Sequence, residues 1–223
     1  MVHHRDHERC EANAISGQRY AIRPYDADDL DSLYRICLAT GQNGQDASNL
    51  YADPDLIGHI YAGPYGRFSP ECCFVVEDDA GVGGYILGAF DTAAFESLLE
   101  TVWWPTLRPR YLDPSTRPRS EWSLDEIRAW QIHHPIVTPA RLTEPYPSHL
   151  HIDILPRLQR QGVGRALMNR WLAHMRASGS RGAHLGVGSV NEGAVRFYHA
   201  NGWRELPAPG PSSARTVWFA IEL

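Results

Sequence analysis

No stretch of the sequence holds about eighteen consecutive apolar residues, so nothing in it reads as a membrane-spanning helix. No run of Lys or Arg appears either, and the formal net charge is -5, which excludes the strong basic excess of a general nucleic-acid binder. The only basic strip is short: Arg157, Arg160 and Arg165. Four cysteines, Cys10, Cys37, Cys72 and Cys73, are too few in 223 residues to suggest a disulfide framework, and buried free thiols are expected. Residues 1–17 lack the apolar core of a signal segment and read as a flexible leader, with a cytoplasmic location as the expectation. What is present is ordinary for a globular chain. Hydrophobic residues make up 43%, and seven Trp with ten Tyr supply the aromatics that disordered chains lack.

Residues 18–223 read as one α/β domain with no internal repeat. Leu30, Leu33, Tyr34, Cys37 and Leu38 recur at helical spacing, with Asp26 or Asp28 as the cap. Pro54 can open a second helix through Tyr61, which the segment 63–70 should break. Residues 72–77 and 82–90 read as a hairpin, and Gly83, Gly84 and Gly88 point to a bulge or close packing in it. A helix is expected over 95–103. The segment 104–147 is proline-rich and predicts a long irregular excursion, relieved by a helix from Ser123 to about His133. The informative third starts at Ser148. Leu150, Ile152 and Ile154 alternate with His149, His151 and Asp153, giving a strand with one oily and one polar face. A helix with the stripe Leu167, Met168, Trp171, Leu172 and Met175 follows, then a strand over 183–188, a helix capped by Asn191, and a last strand over 217–221. This order predicts βαβ packing with the first two of these strands parallel.

Gln159 to Arg165 sits where the first strand hands over to the helix. A helix N-terminus leaves amides without intrahelical partners beside the positive end of the macrodipole, which suits phosphate. Gly162 and Gly164 remove side chains where a ligand must approach, and Arg160 and Arg165 can add charge-assisted contacts. The usual triphosphate loop is excluded, because no Gly-Lys-Ser/Thr occurs. The dinucleotide fingerprint fails as well, since its third glycine is Leu167 here.

Gln159-x-x-Gly162-x-Gly164 after a strand resembles the pyrophosphate-binding signature of the GNAT acetyltransferase superfamily. The run Asn191-Glu-Gly-Ala-Val-Arg-Phe197-Tyr198-His-Ala-Asn-Gly202-Trp203 resembles its second signature, one strand later as the family requires. His151-Ile-Asp-Ile-Leu-Pro156 and Ser178-Gly-Ser-Arg-Gly-Ala183 further resemble the acetyltransferase-like C-terminal domain of animal O-GlcNAcases and its bacterial relatives. The animal domain is regarded as lacking the cofactor loop, whereas this chain keeps Gln159, Gly162 and Gly164. Nothing in it resembles a glycoside hydrolase. The resemblance implies a GNAT-type acyl-CoA N-acyltransferase fold, a mixed central sheet flanked by helices on both faces. It implies acetyl-CoA as cofactor, CoA as product, and a small-molecule or peptide amine as acceptor, in a monomer or homodimer with no nucleic-acid or membrane partner.

The same resemblance assigns roles. The strands at 148 and 183 should splay, with the pantetheine arm in the cleft beside Ile154 and Leu155. Amides of Arg160, Gln161, Gly162, Val163, Gly164 and Arg165 would hold the pyrophosphate, with Gln159 at the head of the motif. Asn191 would bond the arm or nearby backbone, and the amide near Leu155 would meet the developing oxyanion. Tyr198 would lie by the sulfur, where its hydroxyl could protonate the departing thiolate. Asp153 could take the amine proton directly or through water, and His151 could be a base or orient Asp153. The residues leave open that both are structural. They also leave open a non-catalytic module that keeps the fold. His149, His151 and Asp153 lie spread along one strand, a poor match to tetrahedral zinc, and no metal is expected. Trp103, Trp104, Tyr111, Trp122 and Trp130 either pack the excursion or line an acceptor pocket.

Overall fold

A computed structural model describes residues 12–15, 18–208 and 215–223. Cys10 and residues 1–11 and 16–17 of the expected leader lie outside the described residues. In chain order the elements are β1 (Ala12–Ile15), β2 (Gln18–Pro24), α1 (Leu30–Thr40), α2 (Leu56–Tyr61), α3 (Gly63–Phe68), β3 (Phe74–Asp78) and β4 (Gly81–Ala89). Then come α4 (Thr92–Leu98), α5 (Trp104–Leu107), α6 (Leu124–His133), α7 (Ala140–Thr143) and β5 (Ser148–Ile154). The chain closes with α8 (Val163–Ala177), β6 (Gly182–Gly188), α9 (Glu192–Ala200), β7 (Arg204–Leu206) and β8 (Thr216–Glu222). The eight strands form one sheet in the order β1-β2-β3-β4-β5-β6-β8-β7. Among the described residues only β5 and β6 pair in parallel, joined by the α8 crossover. The sheet is mixed, as the order of elements implied.

Alternation along the strands sorts the core into two layers. Leu150 of β5, Phe74 and Val76 of β3 and Ile86 of β4 pack against the expected α8 stripe of Leu167, Met168, Trp171, Leu172 and Met175. Val75, Tyr85 and Leu87 face the other way, onto Leu33, Ile36 and Cys37 of α1 and Leu56 and Ile57 of α2. Helices therefore cover both faces. The β3–β4 hairpin carries the bulge that its glycines suggested. Gly84 pairs with Val76 and Val82 with Glu77, so Gly83 has no partner. A Cβ on Gly83 would stand 2.5 Å from Arg157 Nη2. That guanidinium is tied to Asp78 at 2.9 Å and to Gly81 O at 2.9 Å. Arg157 thus latches the hairpin and leaves the basic strip read from the sequence.

Gly88 is the other glycine that packing requires. A Cβ there would come 2.6 Å from both His149 O and Trp171 Cζ2. Trp171 is fully buried and its indole donates to Cys72 O at 3.1 Å, so the ring has nowhere to go. Gly88→Ala is expected to cost about 1–3 kcal/mol of unfolding free energy by overpacking, read as a lower urea midpoint. An unchanged midpoint would contradict this packing account.

Several expectations need correction. The second helix does end at Tyr61, with Ala62 non-helical, but residues 63–68 form a further helix, α3, because Pro64 at its first turn needs no amide partner there. Asp26 caps the 3₁₀ turn Ala27–Asp29 rather than α1 itself, and Asp28 caps neither. The helix expected from 95 begins at Thr92, capped by Asp91, and continues through a π-helical turn over Leu99–Trp103 into α5. Within the excursion, α5, α7 and two 3₁₀ turns join the expected α6, so it is less irregular than its prolines suggest. Cys72 lies in a 3₁₀ turn before β3, and Cys37, Cys72 and Cys73 are buried free thiols. Ala12–Ile15, part of the expected leader, pairs with β2 as an edge strand, and β7 was not foreseen. Both are short edge strands placed by backbone pairing, which side-chain pattern reports weakly.

Candidate functional site

The loop from β5 into α8 is shaped by two left-handed residues. Arg160 has φ 60 and Gly162 φ 79, and Gly162 is the N-cap of α8. Gln159 Nε2 donates to Ile154 O at 2.7 Å and Gln161 Nε2 to Arg157 O at 2.7 Å, so both amide side chains brace the loop. Ala166 is the first residue of α8 to bond back, to Gly162 O at 3.0 Å. The amides of Val163, Gly164 and Arg165 precede it and have no intrahelical acceptor. Left-handed backbone beside them makes a concavity of converging N–H groups suited to an anion. Arg160 and Arg165 are exposed at its rim and form no ion pair among the described residues. Gly164 is small for a packing reason too. A Cβ there would lie 3.2 Å from Phe197 of α9 and 3.4 Å from Ile154.

Beside this loop the sheet opens. The pairing of β5 with β6 is confined to Ser148↔Ala183 and His149↔His184, while β6 stays paired with β8 along its whole length. The rest of β5 therefore diverges from β6. Leu155 N donates to Gly83 O at 2.8 Å, continuing the β4–β5 ladder. Antiparallel ladders alternate, so Asp153 and Leu155 turn their amides to β4, while Ile152 and Ile154 turn theirs into the gap. The Leu155 amide, near which an oxyanion donor was expected, is itself engaged, and the Ile152 and Ile154 amides are the ones aimed into the opening. The loop after α1 reaches across it. Asn43, at φ 52, puts Oδ1 3.1 Å from where a Cβ on Gly188 would be, and Gly188 ends β6.

The odd positions of β5 face the α1–α3 layer and differ in their bonding. His149 is committed at both ring nitrogens, to Thr92 Oγ1 and to Tyr65 OH, each at 2.8 Å. His151 has rings rather than polar partners as neighbours: Tyr65 at 5.4 Å and Tyr61 at 5.8 Å between centroids. Desolvation lowers its pKa to about 4, which keeps the imidazole neutral at physiological pH. Asp153 Oδ2 accepts from Tyr85 OH at 2.7 Å, while the Thr40 hydroxyl donates to Ile36 O. Burial raises the Asp153 pKa, and hydrogen bonding to the carboxylate only partly opposes the rise. The polar face of β5 is thus roofed by helices, which the strand pattern alone did not reveal.

Tyr198 packs from α9 against Trp203 and Phe219. Its hydroxyl forms no hydrogen bond among the described residues. Its pKa is raised by burial first and by the Asp153 charge second, so the phenol keeps its proton and the two groups sense each other electrostatically. Asn191 caps α9, its Oδ1 accepting from Ala194 N at 3.1 Å. Of the aromatics named from the sequence, Trp104 and Tyr111 are buried in the helical layer and Trp103 donates to His59 O at 2.8 Å. Trp122 and Trp130 sit together under Arg119. The rings that face His151 are Tyr61 and Tyr65, which sequence reasoning missed. They lie on α2 and α3, and only the covering of β5 brings them there.

The lowered histidine pKa values carry a stability prediction. Burial depresses His149, His151 and His184 alike. As pH falls below about 6.5 the unfolded chain takes up protons that the folded chain refuses, so stability is full above that pH and declines toward pH 4. His151 alone accounts for up to about 3 kcal/mol, and Asp153, shifted upward, returns part of this at the acid end. Urea unfolding at pH 7.5, 6 and 5 should show the decline, with a shallower slope for His151→Leu; identical slopes would refute the assignment.

The chain matches the Acetyltransferase (GNAT) family over residues 42–203. It is 30% identical over 190 residues to the Protein O-GlcNAcase of Rattus norvegicus and to that of Mus musculus, covering 84% of this chain and 20% of each of those proteins. The chain therefore spans about a fifth of the length of the curated relatives it matches. Among solved structures it is similar to SsHAT, with 35% identity, a TM-score of 0.82, and coverage of 91% of this chain and 98% of that one. A structure of yncA from Salmonella typhimurium with acetyl-CoA shares the fold at 17% identity and TM-score 0.51, over 92% and 94% of the two chains. With the paired signatures, the opened sheet and the amide-lined loop on one face of that opening, the chain belongs to the GNAT acetyltransferase family.

Proposed function

We propose that the protein is an acetyl-CoA-dependent N-acetyltransferase that moves the acetyl group to an amine by direct attack in a ternary complex. The observation that carries this reading is the coincidence of the Val163–Arg165 amides with the gap beside Ile152 and Ile154. An anion concavity and an unpaired strand edge lie in sequence along one cleft, which suits a pyrophosphate followed by an amide-bearing arm. Acetyl-CoA supplies an already activated acyl group when bound. The residues of this chain then have limited tasks. The loop amides from Arg160 to Arg165, with Arg160 and Arg165 at the rim, hold the phosphates. The Ile152 and Ile154 main chain pairs with the arm and aims an N–H at the acyl oxygen, where a fixed dipole stabilises developing charge. Asp153 takes the amine proton, a task its raised pKa favours, and neutral His151 orients the amine. Tyr198 gives its hydroxyl proton to the departing sulfur.

Two measurements test this. Calorimetry should show saturable acetyl-CoA binding, and a thiol-release assay over a broad amine panel should show turnover. Binding without turnover of any amine would support a non-catalytic module. Absence of any heat or melting shift with acetyl-CoA at millimolar concentration would remove the proposal altogether.

A further inference from the structure

The cleft has a cation that the reaction above does not use. Arg128 of α6 is half-buried beside the ring that faces His151. Its Nε donates to Tyr51 OH at 3.1 Å, and its Nη1 to Tyr61 OH at 3.1 Å and to Gln131 Oε1 at 3.0 Å. Its Cζ stands 5.7 Å from the Tyr61 ring centroid, and that ring is 5.8 Å from His151. Nη2 makes no hydrogen bond among the described residues. No carboxylate among the described residues forms an ion pair with it. Asp125, one turn back on α6, is spent on the amides of Ala52 and Asp53 at 3.0–3.1 Å. Other partly buried arginines of this chain do find acids: Arg23 pairs with Asp29 and Glu77, and Arg157 with Asp78.

A guanidinium removed from water without a counter-ion is costly, and neutral oxygens compensate it only in part. Three of them hold Arg128 rigid through Nε and Nη1 and leave the N–H groups of Nη2 to meet a carboxylate oxygen. The Arg128 partners Tyr51, Tyr61 and Gln131, and His151 and Asp153 on β5, all keep part of their surface exposed. Arg128 Cζ and the His151 ring stand 5.7 and 5.8 Å from the Tyr61 centroid, and an α-amino acid with one hydrogen bond at each end spans about 8 Å. From this juxtaposition we infer that the acceptor is an amino acid, its carboxylate paired by Arg128 across Tyr61 from the His151 and Asp153 that receive its amine. The inference rests on the acetyltransferase reading and narrows its substrate to amines that carry an acid close by.

The test is a binding experiment that does not need turnover. Wild-type protein saturated with CoA is titrated calorimetrically with the twenty standard amino acids and with the decarboxylated amine of each. At least one amino acid should bind tenfold or more tighter than its own amine. Arg128→Gln should abolish that preference while leaving the amine's affinity and the CoA affinity within twofold. Arg128→Lys, which keeps charge and loses the fork, should retain only part of it. If every amine binds as well as its parent amino acid, or if neither class binds at about 50 mM, the inference is overturned. Should Arg128→Gln not fold, the wild-type pairwise comparison still decides. Turnover of amines with no carboxylate preference would sink this inference and leave the acetyltransferase proposal standing, whereas failure of CoA itself to bind would remove both.

Discussion

Gly162→Asp should weaken acetyl-CoA binding about 100-fold with little loss of fold. The position has φ 79, where most side chains are strained. Aspartate tolerates the left-handed region better than most, so the backbone cost stays near 1 kcal/mol. The electrostatic cost is larger. A carboxylate about 5 Å from a phosphate charge, at an effective dielectric of about 20, meets roughly 3 kcal/mol of repulsion. Gly162→Asn has nearly the same shape and no charge, and should lose only a few-fold. Calorimetry on both variants separates the two terms. Equal and small effects in the two would mean that no phosphate sits against this N-terminus.

Tyr198→Phe should lower kcat by about 100- to 1000-fold while the acetyl-CoA dissociation constant stays within about twofold. The hydroxyl has no hydrogen bond among the described residues, so its removal leaves no partner unsatisfied and should not shift the melting temperature. A phenol raised above its ordinary pKa is a weak acid, and a thiolate in water would be a poor base for it. A buried thiolate is a better one. Burial holds the Cys37 and Cys72 thiols of this chain at about 12. A sulfur leaving into a desolvated cleft gains basicity for the same reason, which favours proton transfer from the phenol. Parallel loss of binding and turnover in Tyr198→Phe would instead assign the ring a packing role.

The strand and helix periods from Ser148 onward were readable because each element has one strongly apolar face. Leu150 with Ile152 and Leu167 with Met168 and Trp171 announce a sheet face and the helix that covers it. The Gly162 turn was readable because a left-handed cap excludes most other side chains. Backbone parity was not. The sequence led to the expectation of an acyl-oxygen donor near Leu155, and only the register with β4 shows Leu155 N engaged and the Ile152 and Ile154 amides turned to the gap. Arg157 shows the same limit. It stands in line with Arg160 and Arg165, yet the Val76/Glu77 bulge turns the hairpin end, with Asp78, onto it. The π-helical turn joining α4 to α5 leaves no clear mark in a run such as Leu99-Glu-Thr-Val-Trp103.

By itself the sequence determined the family signatures, the order of most strands and helices, and the position of the glycine loop between β5 and α8, because all three depend on near-neighbour periodicity and local backbone conformation. The tertiary structure decided which atoms face the cleft. It roofed His149, His151 and Asp153 with α1–α3, spent both nitrogens of His149 on Thr92 and Tyr65, and brought Arg128 and Tyr61 beside them from segments far along the chain. Those contacts depend on burial and register between distant elements, and no local pattern encodes which pairs will meet.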